Sequence, residues 1–382
     1  MDFDETDESL LDKFARAYFG PRGRYGHPGA RAVLLEAVQK RIKSLGLSVE
    51  EYSRRAPLTD AEARLVWNGA RAALDERFYK YPRALETLPE LLREWSVFAK
   101  EEKIKVLVLG AGRGYEALSV AMELARSEAW ARGWKISVEA LDFSPASVKE
   151  AREGIYSAAD LRWLAPEAAR RFFTPRGGDF RFKFNLAPPT RYAVGDIFDE
   201  ALKASVEAFQ GEIDLLWARD LTLFADDERS LALFSLIENL PRERGLVFLA
   251  PTELFAPSGK FSLEERRGVF YYRRGEERLR RARADAEKKP KKLRDLSPLS
   301  EEESALFGAR SLSLQREAAL ALESDPQKAW ELARELILQT QERDRVSLEG
   351  YDLLARAESA RGRPRFAAAL GEAIRLWQGE KA

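Results

Sequence analysis

The stretch Lys105 to Met122, KVLVLGAGRGYEALSVAM, constrains the chain more than any other, because an apolar run enters a glycine turn there and leaves as an amphipathic helix. Val106 to Leu109 is a continuous β-prone run of the kind buried in a parallel sheet. Gly110, Gly112 and Gly114 permit a tight turn with close backbone approach to a ligand, and a helix from Tyr115 onward aims its N-terminal amides at that ligand. The spacing is G-x-G-x-G, whereas a dinucleotide fingerprint places its third glycine one residue later. The loop therefore favours S-adenosylmethionine (SAM) over a dinucleotide. Read in isolation, the loop leaves open the alternative of a strand-to-helix turn that binds nothing.

Composition narrows the chemistry. The chain has 382 residues, enough for more than one domain, and its 63 basic and 63 acidic residues cancel. No global field then recruits nucleic acid or an anionic membrane. The absence of cysteine excludes disulfides, thiolate zinc sites and cysteine nucleophiles, and the lone His27 argues against a histidine triad or a multi-histidine metal site. The N-terminus is acidic where a signal peptide would be basic, and no apolar run approaches membrane-spanning length, so a cytoplasmic protein is expected.

Residues 1–100 read as a helical N-terminal domain: Leu34, Leu35, Val38, Ile42 and Leu45 have helical spacing, with Gly46 as C-cap. Arg31, Lys40, Arg41 and Lys43 make a basic face, either a solvated surface or a dock for an acidic helix. The segment Ala73 to Pro82, ALDERFYKYP, either packs between domains or reaches into a cofactor cleft. Residues 101–275 alternate strand and helix, which implies a mostly parallel sheet with helices on both faces. Candidate strands are Lys105 to Leu109, Ile136 to Leu141, Tyr192 to Val194, Asp214 to Trp217 and Leu246 to Ala250, followed by a hairpin ending in Val269 to Tyr272.

In such sheets ligands sit beyond the carboxyl ends of the strands, so the residues there carry functional weight. Asp142 follows the second strand, as a ribose acceptor or as a turn and cap former. Asp196 follows the third, placed for an adenine amino group. Arg219 and Asp220 follow the fourth and Glu253 the fifth. Residues 156–190 form an insertion in which Gly177 and Gly178 are expected to end a helical piece. Phe180, Phe182 and Phe184 then alternate with Arg181 and Lys183 as in a half-buried strand, a small β-element that is either a partner-binding edge or a lid. Residues 276–304 read as a charged linker. Residues 305–382 read as a helical extension, either of tetratricopeptide (TPR) type or a helical cap over the catalytic domain.

With these motifs in place, the chain resembles the CheR-type protein-glutamate O-methyltransferases of bacterial chemoreceptors over roughly Asp7 to Arg274. Arg41 to Leu47 resembles the family's RxxxLGL turn, GRGYEALSVAM its STGEEPYSIAM, LDFSPASVKEAREGIY its TDIDxxxLxxARxGxY, IDLLWARDLTLFAD its FDxIxCRNVxIYFD, and LVFLAPTELF the segment ending HSENF. DLRWLAPEAARRFF resembles the lead into the receptor-binding β-subdomain. The resemblance implies an α/β, Rossmann-like SAM-dependent methyltransferase sheet with an all-α N-terminal domain, an inserted β-subdomain and a C-terminal helical extension. It also implies SAM as cofactor, no metal, and cofactor contacts from Gly110, Gly112, Gly114, Glu116, Asp142, Asp196 and Asp220. Lys80, Arg219 and Phe224 fall at the reacting centre.

Several positions depart from the family. Lys80 stands for an arginine, Phe224 for a tyrosine, Asp220 for an asparagine and Tyr115 for a glutamate. The implied acceptors are glutamate carboxylates on acidic helices of a receptor-like or signalling protein, with further docking through the C-terminal helices. Glutamate titrates near about 4.3, so such an acceptor is already ionised at neutral pH and needs no base. Alignment and exclusion of water then carry catalysis, with Lys80 or Arg219 holding a carboxylate. The rival expectations are a SAM-sensing or scaffolding module without methyl transfer, and a methyltransferase for another acceptor.

Overall fold

The apolar run before the glycine loop is the middle of a seven-stranded sheet. The computed structural model describes residues 28–55, 62, 65–66, 76–96, 102–195, 206, 208–222, 227–255, 260–275, 301–342 and 347–378. His27, Asp196, Phe224 and most of the expected linker lie outside these described residues.

The chain begins with α1 (Pro28–Leu45), α2 (Val49–Arg55) and α3 (Pro82–Ser96). Leu34, Leu35, Val38 and Ile42 of α1 are buried, as their spacing predicts. Leu45 is not: it is 42% exposed, because the helix closes behind it. Gly46 turns at φ 65°, and the Leu47 N–H donates back to the Ile42 carbonyl. Within the basic face, Arg41 is held by Glu62 at 2.7 Å and Lys40 pairs with Glu36 at 2.6 Å.

The sheet domain follows as β1 (Lys103–Leu109), α4 (Tyr115–Leu124), α5 (Glu128–Ala131), β2 (Lys135–Asp142) and α6 (Pro145–Glu153). Next come β3 (Ile155–Tyr156), α7 (Ala158–Leu161), α8 (Pro166–Phe172), β4 (Phe173–Arg176) and β5 (Asp179–Phe182). The last part is β6 (Thr190–Val194), β7 (Ile213–Ala218), α9 (Asp227–Asn239), β8 (Pro241–Phe248), β9 (Phe261–Arg266) and β10 (Val269–Arg274). The strand order is β6-β2-β1-β7-β8-β10-β9. The first five strands run parallel, and β10 lies antiparallel between β8 and β9. The order reverses between β1 and β7, which opens a crevice at their carboxyl ends.

The insertion forms its own sheet, ordered β3-β5-β4. Gly177 and Gly178 do not end a helix there. Both have positive φ, and they make the turn of the β4–β5 hairpin, since α8 has already ended at Phe172. Phe182 is buried in β5, whereas Phe184 lies past the strand in a short 3-10 turn, its ring against Gly154.

Four more helices complete the chain: α10 (Glu301–Ser324), α11 (Pro326–Glu342), α12 (Leu348–Ala360) and α13 (Pro364–Trp377). Alternation along β1 decides what covers each face. Val106 and Val108 pack with Leu85, Leu88 and Leu91 of α3 and with α4. Leu107 and Leu109 belong instead to a second core shared with α9 and with Trp330, Ile337, Tyr351 and Phe366 of the C-terminal helices. Phe366 meets Phe234 at 5.7 Å and Tyr351 meets Phe270 edge-on at 5.5 Å. The C-terminal helices thus cover the sheet as a third layer, and each such buried side chain contributes about 1.5–3 kcal/mol. Among the described residues, no helix is long and apolar enough to cross a membrane.

Candidate active site

The glycine loop takes its shape from three left-handed residues: Gly110, Gly112 and Gly114 have φ of 71°, 55° and 91°. A Cβ on Gly110 would lie 2.7 Å from Cδ2 of Leu221, so the segment after β7 packs directly on the loop. At Gly114 it would meet the Tyr192 hydroxyl at 2.9 Å. Asp142, 3% exposed at the end of β2, fastens the loop. Its Oδ2 accepts the Gly112 N–H at 2.8 Å and its Oδ1 the Ser144 N–H at 2.9 Å. Ser144 in turn caps α6 by accepting from the Ser147 N–H. Both earlier readings of Asp142 are compatible with this, since a carboxylate oxygen accepts more than one hydrogen bond.

The second group of residues gathers where β7 ends. Arg219 is only 5% exposed and stacks between two rings, its guanidinium carbon 4.0 Å from the Tyr81 centroid and 4.5 Å from that of Trp217. Its Nε and Nη1 make no hydrogen bond, and burial lowers its pKa. Glu116, in the first turn of α4, accepts from the Trp217 indole N–H at 2.8 Å. Burial first, and the Asp220 charge second, push its carboxyl up to about 7. Asp220 adopts φ 58° and accepts from the Tyr81 hydroxyl at 2.5 Å and the Lys80 ammonium at 3.0 Å. Burial alone would raise its pKa, but Lys80, the Tyr81 hydrogen bond and Arg219 together hold it below the ordinary carboxylate value.

Glu253 secures this arrangement from the turn that follows β8. It accepts from the backbone N–H of Asp220 at 2.7 Å and of Thr222 at 2.8 Å, from the Thr222 hydroxyl at 2.7 Å and from the Ala250 N–H at 3.3 Å.

The segment before α3 reaches into the same crevice. Phe78 packs edge-on against Tyr115 and Tyr156, both at 4.9 Å, while the Tyr79 hydroxyl donates to Glu123 at 2.6 Å. These anchors deliver Lys80 and Tyr81 to the strand ends. Tyr115 itself turns away toward the insertion, its hydroxyl donating to Asp160 at 2.8 Å.

Of the residues singled out in the sequence, Gly110, Gly112, Gly114 and Asp142 come together at the loop, and Lys80, Glu116, Arg219 and Asp220 at the end of β7. Asp196 and Phe224 fall outside the described residues. Tyr81 and Trp217 were missed. A signal for Trp217 existed, since a buried indole N–H next to a glycine-loop helix requires an acceptor.

Glu116 makes a prediction about stability. Its folded pKa lies above the unfolded value, so its contribution is fully present below about 4.5 and is lost as pH rises through about 7. The stability difference between the wild type and Glu116→Gln is therefore expected to move against the wild type by about 1–2 kcal/mol between pH 5 and pH 8, the range allowing for solvent screening. Thermal unfolding of both proteins across this range measures it; acids uncoupled from Glu116 cancel in the difference, whereas Asp220, whose charge acts on Glu116, contributes to it.

A parallel sheet with an inserted antiparallel strand, a glycine loop after its central strand and an acid after the next one define the Rossmann-like SAM-dependent methyltransferase class. Within that class, residues 75–268 match the CheR methyltransferase, SAM binding domain, and the chain belongs to that family. It is 24% identical over 246 residues to the probable biofilm formation methyltransferase WspC of Pseudomonas aeruginosa, covering 64% of this chain but 57% of the relative. To the chemotaxis protein methyltransferases of Escherichia coli and Salmonella typhimurium it is 27% and 22% identical, covering 59% of this chain and 77% of each relative. Among solved structures, an RNA methyltransferase from Salinibacter ruber in complex with S-adenosylhomocysteine aligns at 15% identity and a TM-score of 0.26, over 55% of this chain and 97% of that one.

Proposed function

We propose that the protein transfers the methyl group of SAM to glutamate side-chain carboxylates of a chemoreceptor-like or other signalling protein, acting from the cytoplasm. The observation that carries this reading is Arg219, a buried cation with unpartnered donors at the strand ends beside the glycine loop. The residues also suit the cofactor. Glu116, an acid disfavoured by burial, gains from a cationic ligand, and the left-handed glycines leave room for close backbone approach. When bound, SAM supplies an electrophilic methyl group on a sulfonium.

The chain's own residues then have simple tasks. Gly110, Gly112, Gly114, Asp142 and Glu116 hold the cofactor, with Asp196 placed by sequence for its base. Arg219 offers its free donors to a carboxylate, and the Tyr81 and Trp217 rings keep water from its faces. No side chain has to take a proton from an ionised carboxylate. Asp220, held by Lys80, Tyr81 and Glu253, acts as a wall of this cleft.

One observation favours a second reading, a SAM-sensing scaffold without transfer: Lys80 is engaged by Asp220 at 3.0 Å. The likeness to the chemotaxis protein methyltransferases supports the first. Incubation of the protein and tritiated SAM with the host's receptor membranes is expected to give label released as methanol by mild base. Label stable to base indicates a different acceptor, and cofactor binding without label indicates the scaffold.

A further inference from the structure

The insertion grips the apex of the glycine loop, Arg113 to Tyr115, at two points. The Tyr156 hydroxyl donates to the Arg113 carbonyl at 2.8 Å, and the Asp160 carboxylate accepts the Tyr115 hydroxyl at 2.8 Å. The same Tyr115 hydroxyl accepts from Nη1 of Arg113 at 2.9 Å, which links the two grips within the loop. On its other side, the Arg113 side chain pairs with Glu150 of α6, where both groups are exposed.

Each grip is fixed by the insertion's own structure. Tyr156 lies on β3 opposite Phe180 of β5, and the Phe182 N–H donates to the Gly154 carbonyl at 2.8 Å, so the central strand of the small sheet sets where Tyr156 stands. Its side chain is 2% exposed, the ring held between Phe78 at 4.9 Å and Phe173 at 6.1 Å. Asp160 is held by a capping box at the start of α7: its Oδ2 accepts the Ser157 N–H and hydroxyl, both at 2.8 Å, which leaves Oδ1 for Tyr115. Gly114 makes room for the arrangement, since a Cβ there would lie 3.0 Å from the Tyr156 hydroxyl. Tyr115 stands where the family has a glutamate. A carboxylate beside Asp160 would repel it, whereas a hydroxyl can donate to it.

We propose that Tyr156 and Asp160 are positioning residues of the cofactor site, through which the inserted sheet holds the loop apex in the conformation that receives SAM. The apex leads directly into the first turn of α4, whose free amides face the ligand. Holding it from outside lowers the ordering cost of binding. The insertion thereby contributes to cofactor affinity, a role separate from that of a partner-binding edge or a lid. The inference rests on the functional reading only in that it takes the glycine loop as the SAM site.

Two variants of the full chain that each lose a single oxygen test it. Tyr156→Phe keeps the ring and removes the bond to the Arg113 carbonyl. Tyr115→Phe keeps the packing against Phe78 and removes the link to Asp160. Each is expected to weaken SAM binding in calorimetry about fivefold, the scale of one hydrogen bond. Hydrogen exchange without cofactor supplies the second readout. The Gly114 amide, which donates to the Ala111 carbonyl at 2.9 Å, should exchange about fivefold faster in both variants, while the amides of β1 keep the protection of the wild type. Should one variant not fold, the other decides. Unchanged SAM affinity, or unchanged exchange at Gly114, in either variant overturns the proposal. So does an equal acceleration at Gly114 and along β1, which marks a loss of global stability and a purely structural role. A wild type that fails to bind SAM would overturn the functional reading, and exchange at Gly114 then decides whether the insertion holds the loop.

Discussion

Replacing Asp142 by alanine is expected to weaken SAM binding by about 100-fold or more, because hydrogen bonds to a charged acceptor contribute about 1.5–3 kcal/mol each. Two such bonds, from the Gly112 and Ser144 N–H groups, shape the glycine loop before any ligand arrives. Truncation leaves both donors buried without a partner and removes the acid proposed to receive the ribose hydroxyls. Asp142→Asn keeps the size and one acceptor oxygen, so an intermediate loss is expected. Calorimetric titration with SAM measures both. Unchanged affinity in Asp142→Ala would show that the loop needs no acid and that the cofactor is held elsewhere.

Replacing Arg219 by methionine should separate activity from stability. Methyl transfer is expected to fall by about 100- to 1000-fold, the scale on which loss of a preorganised charged donor acts. The fold is expected to lose little net stability, since the burial penalty of a guanidinium with two unpartnered nitrogens is removed while its favourable charge beside Asp220 and Glu116 is lost with it. The flexible thioether can fill the slot between Tyr81 and Trp217. Initial rates and thermal midpoints of the same preparations measure the two effects. A fall in both together would assign Arg219 to the core, and retained activity would remove it from the reaction. Arg219→Lys keeps the charge but loses the planar stack, so only partial recovery is expected.

What was legible in the sequence was whatever local pattern fixes. The apolar run and three glycines gave β1, the turn and α4 because backbone conformation at those positions depends on missing side chains. The parallel strands were readable from the same alternation of apolar runs and helices. Patterns with two local solutions were not. Gly177 and Gly178 suit a helix end as well as a hairpin turn, and only the pairing of β4 with β5 decides. Leu45 had helical spacing, yet the turn at Gly46 takes it out of the core.

The site was legible where one strand end supplies the residue, as with Asp142, Arg219 and Asp220. It was illegible where distant segments meet. Tyr81 reaches Asp220 across 139 residues. The Lys80–Asp220 pair joins two departures from the family pattern. Arginine and asparagine are both replaced, and the replacements hold each other at 3.0 Å. Taken separately in the sequence, each is only a departure from the family pattern. Together they make a neutral pair that leaves Arg219 as the cation with free donors in this cluster.

The central claim is that Arg219 and the glycine loop together direct a methyl group onto a carboxylate. Peptide mass spectrometry of receptor membranes incubated with this protein and SAM bearing a trideuterated methyl group tests it most directly. The account predicts the labelled methyl on glutamate residues, removable by mild alkali and absent when Arg219→Met replaces the wild type. Labelled methyl on lysine, arginine or a hydroxyl side chain, or none at all from a protein that binds SAM, would contradict it.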